Sequence, residues 1–309
     1  MTQKKDKALV LNIESSGEQF SMPENTPVHL WKYMPPPIGN NATKYSRENL
    51  ENLFLRDTIR MTGVTEVNDP FDCSPVIIDD VTNDLIFAKA ERLISQAQEN
   101  SEMEYMRRAV LKRYPTKLIR RKKRGQIIRE YRPYIVESSK GFFDKFGFYS
   151  LSETHTNPAM WAHYSANSSG ICIGFKNRGP NPGFATSLPV KYENARPFIN
   201  LSLSLSDKKA DQEKHSMQLL HAFRTKSPAW SYEKERRFLS GIEVGTFNSG
   251  DLVKINKPNI SFVLFGAKVS DANKVFVKKL IEKSGSMNVK LLQANLCEKT
   301  YKIKFFRAK

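Results

Sequence analysis

Trp230-Ser231-Tyr232-Glu233-Lys234-Glu235-Arg236-Arg237-Phe238-Leu239-Ser240 is the stretch on which the reading of this chain turns. Two carboxylates, two residues apart, follow an aromatic pair and precede an apolar run. If Phe238 and Leu239 belong to a strand, Glu233 and Glu235 project from one face at its mouth, because strand side chains alternate with period two. Two acids side by side repel, so a neighbour must relieve them, and Arg236 and Arg237 are at hand. Such a pair has two readings, a catalytic couple or a solvated strand edge, and spacing alone leaves both open.

With 309 residues, 39% hydrophobic and 26% charged, the chain can bury a substantial core as one large domain or two small ones. No segment approaches the roughly 18 consecutive apolar residues of a membrane span. Lys4, Lys5 and Lys7 precede an apolar run, Ala8–Leu11, too short for a signal-peptide core. Cys73, Cys172 and Cys297 are odd in number and far apart, which argues against a disulfide framework or a cysteine zinc site and for a cytoplasmic protein with reduced thiols.

The net charge of +17 is uneven. Residues 107–132 hold twelve cations against one acid, Glu130, and so carry +11 of the total. Arg107, Arg108, Lys112, Arg113, Lys117, Arg120, Arg121, Lys122, Lys123 and Arg124 form the dense part, followed by Arg129 and Arg132. That density points to a polyanionic partner, nucleic acid first. An acidic protein partner or a solvated helix face is the alternative.

Residues 1–25 read as an arm with a possible strand at Ala8–Ile13. Val28–Tyr33 reads as a strand that Pro35-Pro36-Pro37 ends. Ser46 is placed to cap a helix carrying Leu50, Leu53 and Phe54. A short strand near Thr58–Met61 leads to the Asn68-Asp69-Pro70-Phe71-Asp72 turn. Residues 83–145 read as a helical insertion: Asn83 or Asp84 caps one helix, Ser101 and Glu104 form the capping box of a second, and Pro115 stops it. Phe146–Ser152 is a strand. Asn157-Pro158 opens a helix with Met160, Trp161, His163 and Tyr164. Gly170–Phe175 and Val190–Tyr192 are strands, and residues 207–225 a helix with Met217, Leu220 and Phe223 inward. The C-terminal part gives a strand at Ile260–Phe265, a helix at Asp271–Lys283, and strands at Val289–Asn295 and Tyr301–Phe306. Strands scattered among helices without a βαβ rhythm give an α+β class: a single domain over residues 26–309 with the basic helical insertion at about 83–145.

No phosphate-cradling glycine loop, His-Glu-x-x-His or Gly-x-Ser-x-Gly is present, and the five histidines lack ligand spacing, so no metal site is expected. Ser150 and Ser152 present two hydroxyls on one strand face, or simply a half-buried strand. Trp161, His163 and Tyr164 are core packing or a site wall. Trp230 and Tyr232 are a core lid or a stacking platform.

The order Asn68-Asp69-Pro70-Phe71-Asp72, then Ser150-Leu151-Ser152, then Asn157-x-x-Met160-Trp161-Ala162-His163-Tyr164 and Gly170–Phe175, then Lys226…Trp230-x-Tyr232-Glu233-x-Glu235-Arg236 resembles a bacterial family known only as a domain of unknown function (number 2971). The resemblance runs over about residues 28–306 and implies no activity. A second resemblance is to the mono-ADP-ribosyltransferases, whose layout is a polar residue on a first strand, a Ser-x-Ser strand and a late Glu-x-Glu. It implies a split β-sheet core with NAD in the cleft. Ser150 and Ser152 match the Ser-x-Ser strand, Glu235 the catalytic glutamate and Glu233 the upstream acid. The first strand offers His29 and Lys32, but no arginine.

On that resemblance, cleavage of the nicotinamide–ribose bond builds positive charge on the sugar, which a fixed carboxylate stabilises. His29, Lys32, Tyr33, Asn68, Asp69, Ser150, Ser152, Trp161, His163, Tyr164 and Arg236 are expected to contact NAD, with Lys32 and Arg236 at the pyrophosphate and Arg236 keeping both acids ionised. The basic insertion points to a nucleic-acid acceptor, RNA ahead of DNA or protein. Such an enzyme fits a toxin or phage-defence effector restrained by an antitoxin-like partner. Two other readings stand beside it: a non-catalytic nucleic-acid-binding module, and a Mg²⁺ nuclease using Asp69, Asp72 and a glutamate.

Overall fold

Ile171–Lys176 is buried at every position but its last, as its unbroken apolar pattern requires of a strand covered on both faces. It lies within the principal sheet of a computed structural model that describes residues 27–96, 108, 111–140, 146–177, 184, 186–239, 250–255, 259–286 and 288–308. The N-terminal arm with its predicted strand, Arg107 and the Ser101/Glu104 capping box lie outside the described residues. The strands in chain order are β1 (His29–Met34), β2 (Thr58–Arg60), β3 (Thr62–Gly63), β4 (Val76–Ile78), β5 (Gly147–Ser152), β6 (Ile171–Lys176), β7 (Leu188–Pro189), β8 (Lys191–Tyr192), β9 (Phe198–Asn200), β10 (Thr225–Lys226), β11 (Glu235–Phe238), β12 (Leu252–Lys254), β13 (Ile260–Phe265), β14 (Lys290–Leu296) and β15 (Ile303–Arg307). The α-helices among the described residues make the class α+β, and none of them is long and apolar enough to cross a membrane.

The chain divides into two compact units. The first falls within residues 1–72, 145–194 and 226–309, the second within 73–144 and 195–225. The first is built on a mixed nine-stranded sheet of order β15-β14-β13-β6-β1-β5-β11-β7, with β3 also on β5. Its neighbours pair antiparallel except β13 and β14, which run parallel around the Asp271–Lys283 helix. That helix starts at Ser270, whose side chain accepts from the Asn273 N–H. One core cluster joins Leu30, Leu53, Leu151, Ile173, Val263 and Val277. A second, which includes Trp31, Tyr33, Trp161 and Leu264, draws on the residues that alternate with those of the first along β1 and β13. Gly174 is required where it stands: a Cβ there would meet the Trp31 ring at 2.5 Å.

The second unit holds helices Asn83–Gln96, Lys117–Lys122, Arg124–Lys140, Leu201–Leu205 and Lys209–Phe223, and the parallel pair β4/β9. Ile86, Ala90, Ile127, Tyr131, Leu201 and Leu205 form its core, so residues 195–225 complete the helical segment that the sequence places at 83–145.

Three local expectations are corrected. Ser46 lies inside its helix, and its Oγ accepts from the Thr43 N–H at 2.8 Å instead of capping. Asn83 is the first helical residue, and Thr82 is the cap, its Oγ1 accepting from the Leu85 N–H at 3.3 Å. Met217 is 67% exposed, and the inward face of its helix is His215, Leu219, Ala222 and Phe223. Asn157 does cap the Pro158–Tyr164 helix, accepting from Ala159. Replacing a capping threonine by alanine costs about 1 kcal/mol. Thr82→Ala is therefore expected to lower the stability of the second unit by about that amount, and Asn83→Ala to leave it nearly unchanged, as read by urea denaturation followed by far-UV circular dichroism.

Candidate active site

β1 pairs with β6 along six residues, but with β5 at a single position, Trp31 opposite Ser152. The nine-stranded sheet is thus two blocks, β15-β14-β13-β6-β1 and β5-β11-β7, joined by one bridge. Side chains span the opening. The Lys32 Nζ donates to the Ser150 carbonyl at 3.0 Å, and the Tyr33 hydroxyl donates to the Thr154 carbonyl at 3.1 Å. These meet carbonyls of β5 and of the segment just beyond it, near the bridge, where an uncompensated buried carbonyl would be costly. At this opening lies a cavity of about 340 Å³, bordered by Trp31, Lys32 and Tyr33 from β1 and by Phe148, Ser150 and Ser152 from β5.

Register decides which side chains enter. Glu235 lies opposite Ser152, and Arg237 opposite Ser150. Directly opposed residues share a face, so Ser150, Ser152, Glu235 and Arg237 face together while Leu151 and Arg236 turn away. Ser150 Oγ donates to Glu235 Oε1 at 2.6 Å, and the Glu235 N–H donates to the Tyr192 hydroxyl at 2.8 Å. Glu233 is not on the strand. It ends the 3-10 turn Pro228–Glu233, and Lys234 takes a left-handed conformation (φ 44°) before β11 begins at Glu235. The two acids still converge, and both are buried.

Three carboxylates surround one ammonium. The Lys226 Nζ lies 2.7 Å from Glu233, 3.5 Å from Asp72 and 3.6 Å from Glu235. Arg237, fully buried, bonds Glu235 through Nε at 2.9 Å and Asp72 at 2.6 Å, with its guanidinium 4.3 Å from the centre of the Phe148 ring. Burial pushes the Glu235 carboxyl up, but Arg237, with Lys226 and Ser150, outweighs it and holds the group at about 2. Glu233 moves the other way: burial raises it against the opposing pull of Lys226 and Tyr164. Burial draws Lys226 down, but its three carboxylates leave it above its ordinary value. Lys32 is pulled down by burial to about 8, with Glu235 opposing. One acid is thus fixed as an anion, while its neighbour holds a proton more readily, the pattern that separates roles in acid–base sites.

Of the residues expected at NAD, the cavity gathers Lys32, Tyr33, Asn68, Ser150, Ser152, His163 and Tyr164 with both glutamates. The Tyr164 hydroxyl bonds to Glu233 and accepts from the Asn68 amide at 3.1 Å. Ser152 is tied up in structure, donating to the Glu233 carbonyl at 2.6 Å and accepting from the Thr154 N–H. Four expected residues are not in the lining. His29 packs on the Phe262 and Trp31 rings. Asp69 holds its turn, accepting from the Phe71 N–H at 3.0 Å. Trp161 is 1% exposed, with its indole N–H given to the His155 carbonyl. Arg236 points to the opposite face, bonded to Ser187 and Glu153, so Arg237 and Lys226 do the work expected of it. From the sequence, Asp72 is the end of a turn, a member of the order of boxes and a nuclease ligand, and Lys226 a member of that order; Arg237 is one of two adjacent arginines, and only strand register separates them.

In the second unit the basic residues divide. Arg120 pairs with Glu91 at 2.5 Å, Arg113 with Glu130 at 3.1 Å, Arg132 with Asp79 at 2.9 Å, and Arg124 with Asp84. Glu91, Asp84 and Asp79 lie outside the basic window, so its free charge is smaller than its composition. Lys112, Lys117, Arg121, Lys122, Lys123 and Arg129 are exposed and make no ion pair among the described residues.

The family model described as "Protein of unknown function (DUF2971)" matches residues 160–238. The match supports that family for the segment from Met160 to Phe238, which holds Tyr164, Lys226, Glu233, Glu235 and Arg237 and leaves out β1, Asp72 and β5. No curated protein and no solved structure matches the chain.

The Glu235 environment sets an acid response. Its folded pKa lies below the ordinary value of 4.5, so the stability it contributes is complete above about pH 4.5 and is lost as pH falls toward 2. Urea denaturation of the wild type across that window is expected to show the loss. Glu235→Gln, already destabilised at pH 7 by about 3–5 kcal/mol because its buried cations lose a partner, is expected to show a flatter acid limb.

Proposed function

We propose that the chain is an NAD-dependent ADP-ribosyltransferase whose acceptor is nucleic acid, RNA first, acting as a toxin or defence effector under the control of a partner. The observation that carries this reading is Glu235: a buried carboxylate held ionised at about 2, fixed by the Ser150 hydroxyl on the neighbouring strand, in a cavity at a split between two sheet blocks. The split itself supports an ADP-ribosyltransferase-like arrangement of the core.

Each of the four carboxylates that line the cavity has a cationic partner: Glu66 has Arg60, Asp72 and Glu235 share Arg237, and Glu233 has Lys226, with Lys32 a further ammonium in the wall of the cavity. Its 340 Å³ sits at the low end of the roughly 300–1,000 Å³ typical of ligand pockets, a size for the nicotinamide-ribose half, with the adenylate half outside. NAD supplies the scissile nicotinamide–ribose bond. Glu235 stabilises the positive charge that grows on the sugar as that bond weakens, more in the transition state than in the ground state. Ser150 and Arg237 keep its carboxylate oriented and ionised. Tyr164, half-buried at the cavity, offers an aromatic face. Glu233, with its raised pKa and its bond to Tyr164, is suited to take a proton from the acceptor. Of the cations expected at the pyrophosphate, Lys32 remains and Arg236 is withdrawn.

The nuclease reading is weakened by Lys226, whose ammonium occupies the centre of the three carboxylates. Among the described residues no group of three or more His, Cys, Asp or Glu is placed to hold a metal ion.

Incubating the protein with NAD labelled in the adenylate and with cell RNA is expected to yield RNase-sensitive label. Glu235→Gln is expected to reduce it on the order of 10²–10³-fold, while Glu153→Gln, on the far face, keeps it. Full transfer by folded Glu235→Gln protein defeats the assignment. The exposed cations give a separate expectation. Arg121, Lys122 and Lys123 together changed to glutamate lower RNA affinity and flatten its dependence on log salt by about 0.7 for each phosphate no longer neutralised, as measured by fluorescence anisotropy, with NAD hydrolysis unchanged.

A further inference from the structure

One face of the principal sheet carries a row of rings. Lys290 lies opposite Phe262, Phe262 opposite Gly174 and Gly174 opposite Trp31, so these positions share a face across β14, β13, β6 and β1. Phe262 reaches that face through a bulge. Ile260 pairs with Phe175 and Phe262 with Gly174, which makes Ser261 an extra residue in β13. In an unbroken register Phe262 would turn with Ile260 into the main core. Gly174, with no Cβ, leaves room for the Trp31 ring, whose centre is 5.8 Å from that of Phe262. His29, opposite Lys176, joins them at 5.9 Å from Trp31 and 5.2 Å from Phe262. From the segment after β5, His155 stacks on Trp31 at 4.1 Å and lies 5.3 Å from Phe305 of β15.

Trp31, Leu264 and Ala294 form the buried part of this cluster. His29, Phe262, His155 and Phe305 are each partly exposed, and Lys176 and Lys290 are exposed. Every base has a π-face, so adjoining rings of this kind can hold successive bases of a single strand, whereas a duplex keeps those faces stacked on one another. Lys290 lies 5.7 Å from the centre of the Phe262 ring. Burial lowers the His29 pKa, and the charge of Lys176 lowers it further. Burial, with His29, lowers that of His155. Both imidazoles are therefore neutral at pH 7, and the cations beside the rings suit the phosphates that link stacked bases. Trp31 also borders the Glu235 cavity, so a strand laid on these rings leads to the candidate site.

We infer that single-stranded nucleic acid binds this face of the first unit by stacking its bases on His29, Phe262, His155 and Phe305. The inference rests on the reading of nucleic acid as the partner of the Glu235 site, and gives that partner a contact made by rings, apart from the cations of the basic unit.

The test is fluorescence anisotropy of the full chain, without NAD, against a single-stranded oligonucleotide carrying a fluorescent adenine analogue, as RNA and as DNA, and against the matching duplex. The single strand is expected to bind with quenching of the analogue. Phe262→Leu, which keeps an apolar side chain, and His29→Ala are each expected to weaken it on the order of tenfold and to reduce the quenching. Duplex binding, left to the cations, is expected to hold, whereas a folding defect would lower both. His29→Phe, which keeps a ring, is expected to bind as the wild type does. RNA and DNA bound alike assign the recognition to bases and phosphates, and tighter RNA assigns part of it to the ribose hydroxyl; both support the surface. Unchanged single-strand affinity in Phe262→Leu and His29→Ala, binding without quenching, or an equal loss for the duplex overturns it. His29 does not line the Glu235 cavity, so NAD hydrolysis is expected to persist in His29→Ala. Hydrolysis without ring-dependent binding sinks this surface alone, and ring-dependent binding without hydrolysis sinks the Glu235 assignment alone.

Discussion

The Lys226 ammonium, buried among Asp72, Glu233 and Glu235, is the constraint on which the candidate site depends. Three carboxylates brought together without it would repel one another and shed charge by protonation. With it and Arg237 in place, Asp72 and the two glutamates are each ion-paired within the fold, and the Glu233 turn, the Asp72 turn and the first residue of β11 are fixed relative to one another. Such a cluster is poor at adding stability, because an apolar replacement of the same shape would serve as well. Its value is the state in which it leaves one carboxylate: ionised, oriented and beside a cavity.

The single bridge between β1 and β5 has the complementary role. A full ladder there would close the sheet and leave no room for a ligand. Lys32, a charged residue on a strand whose neighbours Leu30, Trp31, Tyr33 and Met34 are buried, is accounted for by the split: it spans the gap and bonds a carbonyl of the facing strand.

Much of the scaffold was legible in the sequence because its signals are local. Asn157-Pro158 opened a helix where cap chemistry said it would, Ile171–Lys176 was the buried strand its apolar run implied, and the C-terminal strand–helix–strand–strand order emerged as read. The site was legible in its members, not in its geometry. Glu233 and Glu235 looked like two teeth of one strand, but Lys234 takes a positive φ that nothing about a lysine announces. The choice between Arg236 and Arg237 rests on register with Ser150 and Ser152, a long-range fact. Asp72 and Lys226 stand 154 positions apart, and no periodicity links them. In the basic window, composition could not separate Arg120, locked to Glu91, from Arg121, which is exposed.

The boundary between the two units falls on residues of the charge cluster itself. The first unit is left at Asp72 and re-entered at Lys226, so an acid and its counter-cation are the last covalent links before and after excursions through the second. A tether of one peptide bond has no slack. Asp72 is joined directly to Cys73 and Lys226 to Thr225, so a residue inserted at either junction would lengthen the chain next to a member of the charge cluster itself.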